Sequence, residues 1–321
     1  QPQVLEAQGG ARLMPINESD VVTPVSRPML PVAGQTLTAK DYKGTLPPVW
    51  CPGCGDFAVL ASMQKAMADL GIAPHDLVFV SGIGCSSRFP HFMNAYGFHA
   101  VHGRSLPVAV GLKLAMPDKT VIAVGGDGDG MAIGAGHFVH TARRNPKLVY
   151  VMMDNEIYGL TKGQASPTSE LGLKTKSTPF SDKLRSADQP LNPLALAIIS
   201  GATWVARAYS GKVKEMTDLI KAAVAHDGYA FLQVISPCVT FHDIYEAAKA
   251  NQRSLAPTHD AKDKFQALNA AMTDPWITGV FYEEHRQNLG GAVAMQKEFA
   301  AGKGTTGLAG LAQTILATRA K

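Results

Sequence analysis

Cysteine is scarce: four residues in 321, too few for the disulfide framework of a small secreted scaffold. Charge is thin as well. Charged residues make up 17% and the net charge is +4, a bias too weak to argue for nucleic acid, and no basic run carries the interleaved aromatics of such a surface. No apolar run reaches the roughly 18 residues of a membrane-spanning helix. The first 15 residues have neither a basic start nor an apolar core, so no secretory signal is predicted and the compartment read from the sequence is the cytoplasm. No internal repeat is present. What is plentiful is apolar: 46% of the residues, enough for one large α/β domain with a full core.

The chain is organised around Val121-Ile-Ala-Val-Gly-Gly-Asp-Gly-Asp-Gly130. Four consecutive apolar residues bounded by glycine read as a fully buried strand of a parallel sheet. A glycine and aspartate turn follows, then Met131 to Arg144 with helical character, stopped by Asn145-Pro146. Strand, glycine turn and helix aim backbone N–H groups at a phosphate. Aspartate would repel a bare phosphate, and a divalent cation between the two removes the objection, because Mg2+ takes oxygens from carboxyl or amide side chains and from diphosphate together. A dinucleotide fingerprint does not fit: started at Gly126 the glycine pattern ends on Met131, and started at Gly128 it ends on Ile133, with aspartate inside the turn.

A second apolar strand, Lys147 to Met153, ends in Asp154-Asn155-Glu156-Ile157-Tyr158-Gly159. A Gly-Asp-Gly turn followed one βαβ length later by a strand ending in asparagine resembles the thiamin diphosphate motif. That resemblance implies Asp127, Asn155 and the Ile157 carbonyl as the Mg2+ ligands.

The rest of the pattern alternates strands with helices. A helix is predicted over 57–70, with Asp56 at its N-cap and Gly71 as its stop. Strands are predicted at 77–80, 98–101, 203–207 and 230–235, with helices at 106–116, 193–200 and 212–226. Five or six strands separated by helices predict an α/β fold with a doubly wound parallel sheet. Cys85, Arg104, Asp127, Asn155 and Cys238 fall at the carboxyl ends of those strands, where open α/β sheets bind ligands. Residues 1–44 read as an arm, 45–245 as the body and 246–321 as a C-terminal extension. The polar stretch 159–191 is too long for a plain connection and reads as functional.

The four cysteines are Cys51 and Cys54, in Cys-Pro-Gly-Cys, and the lone Cys85 and Cys238. Four thiolates meeting in one place suit an all-cysteine zinc site or a 4Fe–4S cluster, and spacing alone leaves both open.

Taken together, Cys51-Pro-Gly-Cys54-Gly, Gly82-Ile-Gly-Cys85-Ser-Ser-Arg88, His102-Gly103-Arg104, Gly126-Asp-Gly-Asp129, Asn155-Glu-Ile-Tyr-Gly-Leu-Thr161 with Gly163-Gln164, Ser166-Pro-Thr168 and Pro237-Cys238 resemble the thiamin-binding beta subunit of the 2-oxoacid:ferredoxin oxidoreductases. The likeness covers about residues 45–245, and the Ile-Tyr-Gly-Leu-Thr wording is more similar to the 2-oxoglutarate branch than to the pyruvate branch. It implies oxidative decarboxylation of a 2-oxoacid with coenzyme A, or the reverse CO2-fixing step. Electrons would pass through a 4Fe–4S cluster held by Cys51, Cys54, Cys85 and Cys238 to ferredoxin. The implied cofactor-binding residues are Gly84, Ser86, His102, Gly103, Arg104, Gly126, Asp127, Gly128, Asp129, Asn155, Ile157, Tyr158, Gly159 and Leu160. Arg88, His91, Thr161 and Lys162 are the candidate catalytic residues, Arg88 or Lys162 reading the far carboxylate of a dicarboxylate substrate.

In that family an alpha subunit supplies the activating glutamate, which implies half an active site here and a dimer of heterodimers. Glu156 and Glu170 are the nearby acids on this chain. His137 and His140 share a helix face without a third convergent ligand and read as packing or capping. The competing reading from a different class is a zinc-stapled, nucleotide-binding interaction protein without catalysis.

Overall fold

The computed structural model describes residues 36–175, 186 and 188–302. Most of the predicted arm, part of the polar stretch after 159 and the end of the C-terminal segment therefore lie outside the described residues. Helix α1 (Asp56–Leu70) leads to β1 (Leu77–Ser81) and β2 (Tyr96–His99), then α2 (Ser105–Ala115) and β3 (Thr120–Gly126). Helices α3 (Asp127–Met131) and α4 (Ala135–Arg144) precede β4 (Leu148–Asp154) and the short hairpin of β5 (Ile157–Tyr158) and β6 (Gln164–Ala165). Helix α5 (Pro193–Ser200), β7 (Trp204–Tyr209), α6 (Val213–Ala225) and β8 (Tyr229–Ile235) follow, and α7 (Tyr245–Asn251), β9 (Arg253–Ser254), α8 (Lys264–Thr273), β10 (Ile277–Glu283) and α9 (Leu289–Gly302) close the described chain.

One eight-stranded sheet runs in the order β2-β1-β3-β4-β8-β7-β10-β9. The six strands from β2 to β7 are parallel, β10 is antiparallel to β7, and β9 pairs parallel with β10. Strands β1, β4, β7 and β8 are buried at every position, as parallel strands covered on both faces must be. One face packs Val59, Met63 and Met67 of α1 with Met216 and Ile220 of α6 onto Phe79, Val124 and Val151; the other packs Leu106, Phe138, Leu194 and Ile198 onto Val80, Ala123 and Tyr150. Each large side chain fully removed from water contributes about 1.5–3 kcal/mol. Among the described residues no helix is long and apolar enough to cross a membrane.

From β1 the chain steps outward to β2, then returns across β1 to form β3. The loops after β1 and β3 therefore diverge, opening a crevice at their carboxyl ends, which is where such sheets bind ligands.

Three expectations need correction. Asp56 is the first residue of α1 rather than its cap, which is Gly55; its carboxylate is buried and accepts from Ser236 Oγ at 2.7 Å instead. The helix expected over 131–144 starts only at Ala135: the aspartate turn itself forms the short α3, and Ala132 (φ −91°, ψ −107°) breaks the spiral after it. The last strand is β10, not the one at 230–235: Gly279 (φ 131°) and a register shift between Val280 and Tyr282 interrupt its apolar alternation. The segment after 245 thus contributes two strands to the sheet. Before the body, Tyr42 is fully buried and donates its hydroxyl to Ile72 O at 2.6 Å.

Candidate active site

The carboxyl ends of β1, β3 and β4 open on a cavity of about 440 Å³. Gly84, Ser86, His102, Gly126, Asp127, Gly128, Asp129, Asn155, Ile157, Tyr158, Gly159, Leu160 and Thr161 all line it, with Ile83, Cys85 and Gln164. Gly103 and Arg104 do not: Gly103 sits behind, donating its N–H to Asp129 Oδ1 at 2.8 Å, and Arg104 donates to Ile133 O at 3.3 Å.

The turn after β3 is tightly constrained. A side chain at Gly128 would come within 2.3 Å of the Tyr158 ring, whose hydroxyl donates to Gly128 O at 3.1 Å. Asp127 is buried, and desolvation pushes its carboxyl up to about 6 despite the hydroxyls around it. Thr168 Oγ1 lies 2.8 Å from Asp127 Oδ2 and 3.0 Å from Asp154 Oδ1. A hydroxyl has one proton, so it cannot donate fully to both carboxylates. Burial and the nearby Asp127 charge hold Asp154 well above the usual carboxylate range. Buried carboxyl groups held toward their protonated form by desolvation give up protons when a divalent ion binds beside them.

The next turn supplies complementary oxygens. Asn155 Oδ1 accepts the Ile157 N–H at 3.1 Å, Glu156 takes φ 58°, and Asn155 and Ile157 then face the cavity beside Asp127. One carboxylate, one amide and one backbone carbonyl suit Mg2+ with a diphosphate completing its shell. Asp129 serves another purpose: Oδ1 also accepts the Ile83 N–H at 2.8 Å, tying the loop after β1 to the turn after β3, and its buried Oδ2 has no partner among the described residues.

A second cavity of about 220 Å³ adjoins the first and is lined by Cys51, Cys54, Cys85 and Cys238, with Arg88, Lys162 and Phe241 among its other walls. The two share Cys85, Asn155, Gly159 and Leu160. Cys51 and Cys54 close a turn by the Cys54 N–H donating to Cys51 O at 3.0 Å, and Trp50 Nε1 donates to Cys85 O at 2.7 Å, fixing the loop that carries the third thiol. Burial pushes the Cys85 thiol up to about 11 and raises Cys54 as well. Thiols held protonated by burial become thiolates when a cationic centre binds. Among the described residues no three His, Cys, Asp or Glu side chains are gathered closely enough for a single ion. The four thiols line one cavity, and four thiolates suit an all-cysteine zinc site or a 4Fe–4S cluster.

A third cavity, about 450 Å³, meets the first at Ile83, Gly84 and Leu160, and holds Arg88 and His91 against Leu46, Pro47, Val49, Phe92 and His99. No motif in the sequence singles out His99. Its one sequence signal is its place at the end of β2, where Nδ1 lies 2.8 Å from Ser81 Oγ and the ring stacks 5.3 Å from His91. Burial first, then the neighbouring His99 and Arg88, lower the His91 pKa. Thr161 and Lys162 lie in the β5–β6 hairpin, Lys162 at φ 78°. Glu156 is held by His242 at 3.2 Å and Glu170 is exposed; among the described residues no glutamate lines the cofactor cavity. His137 and His140 are on α4, away from the three cavities.

The fold and this edge define a thiamin diphosphate-type domain, and the family comparisons agree. The family described as thiamine pyrophosphate enzyme, C-terminal TPP binding domain, matches residues 82–234, and that described as the C terminal of the pyruvate ferredoxin oxidoreductase beta subunit matches residues 238–297. The chain is 46% identical over 250 residues to the 2-oxoacid:ferredoxin oxidoreductase 1 subunit beta of Aeropyrum pernix, covering 73% of this chain and 77% of that protein. It is 39% identical over 204 residues to the 2-oxoglutarate synthase subunit KorB of Methanocaldococcus jannaschii, covering 64% of this chain and 74% of that protein. A solved structure of 2-oxoglutarate:ferredoxin oxidoreductase from Magnetococcus marinus, with 2-oxoglutarate, coenzyme A and succinyl-CoA bound, superposes with TM-score 0.80 at 40% identity, covering 83% of this chain and 92% of that chain. The chain belongs to the beta subunits of the 2-oxoacid:ferredoxin oxidoreductases.

Proposed function

We propose that this beta subunit serves a 2-oxoglutarate:ferredoxin oxidoreductase, joining 2-oxoglutarate and coenzyme A in a reversible oxidative decarboxylation that yields succinyl-CoA, CO2 and two reduced ferredoxins. The observation that carries the reading is the shared wall of Cys85, Asn155, Gly159 and Leu160 between the cofactor cavity and the thiol cavity. Thiamin diphosphate supplies the carbanion chemistry that cleaves the bond beside the 2-oxo group. Asp127, Asn155 and the Ile157 carbonyl hold Mg2+ on its diphosphate, with Tyr158 packed over the turn. Cys51, Cys54, Cys85 and Cys238 would hold a 4Fe–4S cluster across that wall, supplying one-electron redox chemistry beside the cofactor cavity.

The protein's own part is binding, orientation and exclusion of water. Asp129 locks the loop after β1 against the turn after β3, keeping the thiol and diphosphate sites in fixed relation. Neither Arg88 nor Lys162 lines the cofactor cavity; Arg88 lines the thiol and third cavities and Lys162 the thiol cavity, and these two cations are the candidates to pair with a distal carboxylate. Those two cations, the Ile157-Tyr-Gly-Leu-Thr161 wording and the KorB relatives support the 2-oxoglutarate branch. The cavity wall has no glutamate for the aminopyrimidine among the described residues. An alpha subunit therefore supplies it and covers an edge that water would otherwise reach, in a dimer of heterodimers. Residues 1–44 act as an arm, 45–245 carry both sites and 246–321 extend the body.

Iron and acid-labile sulfide per chain, measured on protein purified without oxygen, test the reading. Four irons and four sulfides per chain are expected for a single such cluster. Colourless protein containing zinc and no iron would instead favour a non-catalytic zinc-stapled chain. Activity of the chain alone, without a partner subunit, would remove the two-subunit site.

A further inference from the structure

Arginine is seldom fully buried, because removing its charge from water costs several kcal/mol unless it is paired. Arg207 on β7 is only 3% exposed. Burial lowers its pKa to about 10, which leaves the guanidinium charged at neutral pH. Its partners are an amide and two carbonyls: Nε donates to Gln233 Oε1 at 2.8 Å, and Nη1 donates to Asp274 O at 3.1 Å and Ile277 O at 3.3 Å. The guanidinium also lies 5.4 Å from the Phe281 ring centre.

The contact that matters continues across the sheet. Gln233 on β8 donates through Nε2 to Asp154 Oδ2 at 2.6 Å. The amide orientation is fixed by the guanidinium, which only donates and so must face Oε1, turning Nε2 toward Asp154. Asp154 ends β4, and its other oxygen accepts the Glu156 N–H at 3.1 Å and neighbours Thr168. It therefore pins the start of the turn that presents Asn155 and Ile157. Three adjacent strands carry the chain of contacts, and Arg207 faces Gln233 directly in the register.

We propose that Arg207 and Gln233 are positioning residues of the cofactor edge, fixing Asp154 and hence the Asn155–Ile157 turn to the C-terminal segment at Asp274 and Ile277. Outer partners of metal-site residues orient the groups that bind, and losing one weakens affinity without touching the ligand. Among the described residues, none from 246 onward lines any of the three cavities. The C-terminal segment thereby acts on cofactor retention through one buried cation. This inference rests on the assignment of Asp127 and Asn155 to Mg2+ and diphosphate.

The test uses the assembled enzyme with its partner subunit, stripped of cofactor and titrated with thiamin diphosphate and Mg2+ by calorimetry. Gln233→Met keeps volume and charge while deleting both bonds of the amide. Its dissociation constant is expected to rise about tenfold or more, with kcat at saturating cofactor within about twofold of wild type and iron content unchanged. Arg207→Lys retains the charge but offers a point ammonium where a planar fork is needed; a smaller rise is expected, and the variant keeps the question answerable should Gln233→Met not fold. Wild-type affinity in both folded variants, with Asp127→Ala unable to bind, overturns the relay alone. Wild-type affinity in Asp127→Ala would overturn the metal assignment on which it rests.

Discussion

The two ends of the sheet differ in the kind of polar group they bury around one residue. At the amino end, Asn145 (φ 53°) is 1% exposed and has four partners: Oδ1 accepts from Thr203 Oγ1 and Tyr229 N–H at 2.7 Å each, and Nδ2 reaches Arg286 O and Gln287 O at 3.4 and 3.3 Å. A neutral amide with every position occupied ties α4, β7, β8 and the segment before α9 together. At the carboxyl end, Asp127, Asp129 and Asp154 are as deeply buried, share one sign and include an oxygen with no partner among the described residues. Paired neutral groups stabilise a fold. Unbalanced buried charge is tolerated where a ligand will balance it.

Breaking the charged end has the largest expected effect. Asp127→Ala or Asn155→Ala should abolish Mg2+-dependent thiamin diphosphate binding and leave iron in place, because Mg2+ demands near-octahedral oxygens at roughly 2.0–2.1 Å and alanine offers none. Calorimetric titration beside an iron assay decides it, and normal cofactor affinity in either variant removes the assignment. Cys238→Ser should do the reverse, losing iron and ferredoxin reduction while cofactor binding persists; a full complement of iron in that variant would break the four-ligand set.

A subtler change sharpens the substrate side. Replacing Arg88 or Lys162 by methionine should shift kcat/KM for 2-oxoglutarate relative to pyruvate by about tenfold to a hundredfold in whichever residue reads the distal carboxylate, since charged hydrogen bonds contribute about 1.5–3 kcal/mol. No shift in either would place selectivity on the partner. At the neutral end, Asn145→Ala should cost about 1–3 kcal/mol for each buried group left unpaired, read by denaturant unfolding, while cofactor affinity stays at the wild-type value. A loss of cofactor affinity there would erase the contrast between the two ends.

The family, the parallel sheet and the residues at its carboxyl edge were legible in the sequence because each depends on local pattern. Glycine turns and four-residue apolar runs are dictated within a few positions, and the cysteines are few enough to be noticed singly. The order of strands was not legible, nor was the antiparallel β10, where Gly279 hides the period. What only the tertiary structure decided is which groups meet. Thr168 stands between Asp127 and Asp154, 41 and 14 residues away along the chain; Asp129 ties loops 46 and 26 residues apart; Arg207 is buried rather than exposed. Sequence pattern reports the preference of a residue for water and its local geometry, whereas a through-space contact depends on how separate strands are placed side by side. That placement comes from the packing of the whole sheet, and no short stretch of the chain contains it.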